Sequence, residues 1–103
     1  MDLRHVVLLR FADGTDADAV ARLQAHFVGL RREIEGISAA EAGRNVSPEG
    51  LDRGFTHAFV MHFRDDAARD AYLPHPAHQA FVDALRPVLG DVLVIDYRPD
   101  TLP

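Results

Sequence analysis

Strand-forming segments that are apolar on both faces constrain this chain more than any other feature. In His5–Phe11, the side chains of His5, Val7, Leu9 and Phe11 share one parity, and Val6 and Leu8 on the other parity are apolar as well. In Thr56–Phe63, His57, Phe59, Met61 and Phe63 alternate with Ala58, Val60 and the polar His62. In Val92–Tyr97, Leu93 and Ile95 alternate with Val92 and Val94. Successive side chains of a strand point to opposite faces, so a sheet made of these segments needs cover on both sides.

The segments between them read as helices, turns and one weaker strand. Val20, Leu23, Phe27, Leu30 and Ile34 recur at helical spacing, with Thr15 as the expected cap, Asp18 near the positive end and Gly36 as the stop. Ile37–Gly43 is a weak strand, and 45–54, with Asn, Ser, Pro and two Gly, is a loop. Asp65-Asp66 starts a short helix ending at Tyr72, and a further helix runs from Pro76 to about Arg86, limited by Pro87. The order β-α-β-β-α-β predicts an α+β, ferredoxin-like protomer with one four-stranded antiparallel sheet and its helices on one face. With 103 residues the whole chain, 1–103, is expected to be a single domain. Two helices cover one face only. A second copy of the chain is the commonest cover for the other, so a homodimer packed sheet to sheet is expected. The face with Phe11, Phe59 and Phe63 is assigned to the helices and the Val-rich face, with His62, to the partner. The alternative is a monomer with an unusually apolar sheet.

Composition removes several functions. A net charge of −5 without any basic run argues against binding nucleic acid. The absence of Cys excludes disulfides, thiolate metal sites and Cys nucleophiles. No apolar run is long enough to cross a membrane, and the N-terminus has no signal-peptide pattern, so a soluble, cytoplasmic protein is expected. The two serines, Ser38 and Ser47, lie outside any Gly-x-Ser-x-Gly elbow, and there is no Gly-rich phosphate loop.

Chemistry concentrates in Tyr72-Leu73-Pro74-His75-Pro76-Ala77-His78-Gln79-Ala80-Phe81. Pro74 ends one helix and Pro76 suits the first turn of the next, so Tyr72 and His78 sit on two helical pieces meeting at a kink. Such a corner can aim a phenol and an imidazole into one cavity. His5 and His57, each opening a strand, have the helix-facing parity. They are either hydrogen-bonded core residues or part of a polar cluster beneath this corner, the composition of a small-molecule pocket. His75 reads as a helix-start residue and His26 as exposed on the first helix. Asp96, by alternation, falls with the partner-facing residues and is left out of the catalytic set. His75 and His78, three apart, give a weak metal signal, without a His-Glu-x-x-His pattern.

His5-Val6-Val7-Leu8-Leu9-Arg10-Phe11, Gly43–Gly50, Gly54-Phe55-Thr56-His57, Tyr72–Phe81 and Val94-Ile95-Asp96-Tyr97 together resemble the stress-responsive dimeric α/β-barrel family over nearly the whole chain. The resemblance implies a ferredoxin-like protomer whose sheets pair into a barrel. One branch of that family closes linear polyketides by intramolecular aldol condensation. Its pattern implies His78 as base and Tyr72 as the holder of the substrate carbonyl, with His5 and His57 lining the pocket. It also places Phe27 and Phe59 against the substrate, where the branch has a tyrosine and a valine, so this pocket is expected to be narrower or less polar. Neither metal nor organic cofactor is implied. The expected ligand is a small apolar or carbonyl-containing molecule. The competing expectation is a non-catalytic stress-responsive dimer that binds a small apolar ligand.

Overall fold

The computed structural model describes residues 2–103. Nine residues, Leu3–Phe11, form β1, and α1 (Ala17–Gly29) follows, continued by a tighter turn at Leu30–Arg32. β2 (Ile37–Arg44) and β3 (His57–Phe63) come next, then α2 (Asp66–Tyr72), α3 (Pro76–Leu85) and β4 (Leu89–Tyr97). The four strands make one sheet in the order β2-β3-β1-β4, every neighbouring pair antiparallel. This is the expected α+β, ferredoxin-like arrangement, with the second helical region split in two by the prolines. Among the described residues no helix is long and apolar enough to cross a membrane.

Burial follows the predicted parity throughout β3, and on β1 except at Val7, which is half-buried like Val6 and Leu8. On β3, His57, Phe59, Met61 and Phe63 are buried while Ala58, Val60 and His62 are half-buried. On β1, Leu3, His5, Leu9 and Phe11 are buried, and α1 adds Leu23 and Phe27 from its apolar stripe. Tyr72, Phe27, Phe59, Phe63, Leu9, Leu30 and Met61 are the largest side chains fully shut from solvent. The opposite face keeps Leu93 and Ile95 about half exposed, at 47% and 53%. Edge strand β4 is also bare on its helix-facing side, where Val94 is 51% exposed. The helices do not reach that far.

Three local expectations need correction. Asp16, not Thr15, caps α1: its carboxylate accepts the Asp18 N–H at 3.0 Å, and the Thr15 hydroxyl instead donates to the Ala12 carbonyl. β4 begins at Leu89, three residues before the predicted start, because Gly90 and Asp91 disguise it. The pairing of β1 with β4 shifts between Arg10 and Phe11, and a Cβ on Gly90 would lie 3.0 Å from the Arg10 carbonyl oxygen. His26 is half-buried, not exposed, because its ring sits edge-on to Phe81 at 5.3 Å.

Gly36 ends the first helical region as predicted and does so under tight constraint. Its φ is +95°, and a Cβ there would meet Ala68 Cβ at 2.6 Å. Its carbonyl also accepts the Arg64 N–H at 2.8 Å, tying the turn to the end of β3. Gly36→Ala therefore combines a left-handed backbone penalty with overpacking against α2. A loss of about 2–4 kcal/mol is expected, read as a lower midpoint in urea unfolding at unchanged slope.

Candidate functional site

The proline corner fixes the site. Asp65 caps α2 by accepting the Ala68 N–H at 2.8 Å, and the helix ends at Tyr72. His75 then caps α3, its Nδ1 accepting the Ala77 N–H at 3.0 Å, with Pro76 in the first turn. That bond diverts the N–H which a continuous helix would give to the Leu73 carbonyl. The freed carbonyl is taken by two side chains of α3, with His78 Nδ1 and Gln79 Nε2 each 2.9 Å away.

This contact decides the state of His78. A carbonyl only accepts, so Nδ1 carries the proton and Nε2 carries the lone pair. Burial lowers the His78 pKa below 6.5 against the upward pull of the Leu73 bond, and the neighbouring His5 and His75 lower it further. His78 is thus held neutral with a defined basic nitrogen. Its ring lies against Tyr72, centroids 4.1 Å apart and planes tilted by 35°. Tyr72 is 1% exposed, and burial pushes its phenol well above the ordinary value of 10, so it stays protonated.

His5 approaches Tyr72 from the sheet, at a centroid distance of 5.8 Å. Its Nδ1 lies 2.7 Å from Asp96 Oδ1, and Asp96 Oδ2 is 3.1 Å from Arg69 Nη1. A carboxylate accepts, so His5 Nδ1 carries a proton, and Nε2 is left without a protein partner. Arg98 and Asp66 form a second tie between the end of β4 and α2. Among the described residues every fully buried side-chain nitrogen or oxygen has a hydrogen-bond partner. The Tyr72 hydroxyl, His5 Nε2 and His78 Nε2 lack one, so each opens onto accessible space.

Asp96 corrects the reading of β4. It pairs with His5 across the β1–β4 ladder, and directly opposed residues share a face, so it lies with the helix-facing residues. Alternation within β4 alone could not supply that register. Arg69 gave no signal in sequence at all. It becomes legible only once α2 is laid over the end of β4.

The remaining expected site residues lie elsewhere. His57 pairs with Leu9, four residues along β1 from His5, a distance of about 13 Å. Its Nδ1 contacts the Thr56 hydroxyl at 2.9 Å, and burial, then the charge of Arg44, lowers its pKa. Phe27 and Phe59 fill the space between, with centroids 5.1 Å apart and Phe81 packed against both. The structure therefore brings together Tyr72, His78 and His5, with Phe63 packed on both Tyr72 and His5, and leaves His57 at the far end beyond Phe27 and Phe59. Among the described residues no three or more His, Asp or Glu side chains are grouped to hold a metal ion.

Residues 3–99 match the model of the stress-responsive A/B barrel domain. The chain belongs to that family. It is 36% identical over 100 residues to stress-response A/B barrel domain-containing protein HS1 of Arabidopsis thaliana, covering 97% of this chain and 92% of that one. It is 26% identical over 99 residues to olivetolic acid cyclase of Cannabis sativa, covering 96% and 98%. A crystal structure of an Arabidopsis thaliana protein superimposes with a TM-score of 0.93 at 36% identity, over 98% of each chain. A dimeric ferredoxin-like protein of unknown function from Jannaschia gives 0.84 at 28% identity, over 96% of this chain and all of that one.

The two depressed histidines make a pH prediction for this family member. The unfolded chain binds their protons more readily than the folded one, so stability is full above pH 6.5 and falls as pH drops from there through the lower folded values. Urea midpoints are expected to fall between pH 7.5 and pH 5, and the double variant His57→Gln/His78→Gln should flatten that dependence.

Proposed function

We propose that this chain is a cofactor-independent cyclase or lyase acting on a small carbonyl compound by aldol-type chemistry. The observation that carries this reading is the Leu73 carbonyl holding the proton on His78 Nδ1 while the ring lies 4.1 Å from the buried phenol of Tyr72. A neutral base and a neutral hydrogen-bond donor then stand within reach of one small molecule. The similarity to olivetolic acid cyclase supports the same direction.

In this reading His78 Nε2 takes a proton from the carbon next to a substrate carbonyl. Tyr72 donates a hydrogen bond to that carbonyl oxygen as negative charge builds on it. The enolate carbon attacks a second carbonyl of the same molecule, one carbon–carbon bond forms, and the proton held by His78 returns to the new alkoxide. His5, held by Asp96 and Arg69, presents Nε2 to hydrogen-bond a substrate hydroxyl. Phe27 and Phe59 bound the site and restrict it to a short substrate, and His57 meets only a ligand that extends to the other end of the sheet. The closed aromatic packing favours a second reading, a non-catalytic protein that holds a small apolar ligand.

A panel of poly-β-keto substrates of increasing length separates the two. His78→Ala and Tyr72→Phe are each expected to lower kcat by about 10²–10⁴-fold with unchanged circular dichroism. If no panel member turns over, and purified protein carries a ligand in native mass spectrometry, the second reading holds.

The apolar outer face of the sheet supports a homodimer, as does the dimeric relative from Jannaschia. Leu93 and Ile95, on edge strand β4 beside Leu8 and Val6, are about half exposed on that face. Light scattering should give a dimer for the wild-type chain and a monomer for Leu93→Asp/Ile95→Asp, since paired carboxylates cannot be buried there without partners.

A further inference from the structure

The His57 end of the sheet has its own open space. A cavity of about 480 Å³ is lined by Phe11, Val20, Phe55, Thr56, His57 and Arg44, among others. A recess of about 280 Å³ against the start of α1 shares Val20, Arg44 and His57 with it, so the two are continuous. This volume is in the range of ordinary small-molecule sites.

Two polar groups point to what would fill it. Arg44 pairs with His57 across the β2–β3 ladder and so lies on the same, helix-facing side. Arg44 is exposed and, like Arg22, Arg31, Arg32 and Arg53, takes part in none of the ion pairs or side-chain hydrogen bonds among the described residues; of these five it is the one that lines this cavity. His57 is only 7% exposed, its Nδ1 is engaged by Thr56, and its Nε2 has no protein partner. Since every fully buried side-chain nitrogen among the described residues is satisfied, Nε2 reaches the cavity. An unpaired guanidinium and an unpartnered imidazole nitrogen thus meet beside the apolar surfaces of Phe11, Val20 and Phe55.

We infer that this cavity is a second binding site, separate from the Tyr72–His78 corner, for an amphipathic monocarboxylate whose carboxylate pairs with Arg44 and whose apolar body lies on Phe11, Val20 and Phe55. The planar guanidinium matches a carboxylate through two parallel hydrogen bonds. A hydroxyl can donate to Nδ1, and in that tautomer His57 Nε2 carries a proton and gives the carboxylate a further donor. Asp13 and Asp52 also line the cavity, and Asp52 is already occupied by the Asn45 side chain and the Gly54 N–H. Their charge disfavours a dianion such as phosphate. A neutral ligand leaves the guanidinium unused. A recess of about 320 Å³ shares Arg44, Asn45, Asp52, Phe55 and His57 with this cavity and continues past the sheet edge to Leu8, Ala58 and Val60 on the face assigned to the partner.

Hexanoate, hexanol and inorganic phosphate are suitable probes, followed through the imidazole resonances of the intact protein, with His57→Gln to assign the signal. Hexanoate should give saturable shifts at His57 and none at His78. Arg44→Gln should weaken it about tenfold or more, Arg44→Lys by less, and hexanol and phosphate should bind at least as poorly as hexanoate does to Arg44→Gln. His78→Ala should bind hexanoate unchanged, which keeps this result apart from any failure of the carbonyl chemistry. Absence of saturation, shifts at His78 in place of His57, equal binding of hexanol or phosphate, or an Arg44→Gln affinity equal to wild type would each overturn the inference.

Discussion

Two central strands with no polar face govern this molecule. β1 and β3 sit in the middle of the sheet, and their inner residues, Leu9, Phe59, Met61 and Phe63, are fully closed off by one layer of helices. At roughly 25 cal/mol per Å² of apolar surface, that layer is the dominant source of stability. The same strands leave Val6, Leu8 and Val60 only half covered on the other side, and β4 carries its apolar side chains out to the sheet edge. One protomer cannot satisfy both demands with the helices it has. The uncovered apolar face is a consequence of the strand sequence, independent of any activity.

Against that apolar background the polar corner is expensive to build. An imidazole or phenol inside a core costs about 1–3 kcal/mol unless its hydrogen-bonding groups are met. The chain meets them by breaking its own helix. The two prolines and the His75 cap release the Leu73 carbonyl, which then orients His78, while an ion pair running from α2 to β4 orients His5. In each ring one nitrogen is satisfied by protein and the other is left available. A purely structural histidine would gain by pairing both.

The strands, helices and buried parity were legible because they rest on periodicities that local sequence carries. Tyr72 and His78 were legible for a different reason: prolines have a nearly obligatory effect on the backbone, so the kink follows from two residues. Asp96 was not, because its face depends on the register of β4 against β1, and the bulge at Gly90 hides where β4 starts. Arg69 is an ordinary helical residue until a distant strand places a carboxylate beside it. The separation of His57 from His5 is likewise a matter of register. Both share the helix-facing parity, and parity says nothing about distance along the strand.

That separation bears on what the protein can hold. Phe27, Phe59 and Phe81 stand between the two histidine ends, and each ring leans on the other two. A long, flexible chain would have to displace all three to reach from His78 to His57, creating cavities and off-rotamer side chains that a packed core resists at several kcal/mol. A smaller residue at either Phe27 or Phe59 would thin this barrier and leave the other ring and Phe81 in place. With phenylalanine at both, the inner sheet face keeps two separated polar groupings of different character: Tyr72 with His78 at one end, and Arg44 with His57 at the other. The rings at positions 27 and 59 therefore hold the two groupings apart without adding a polar group to either.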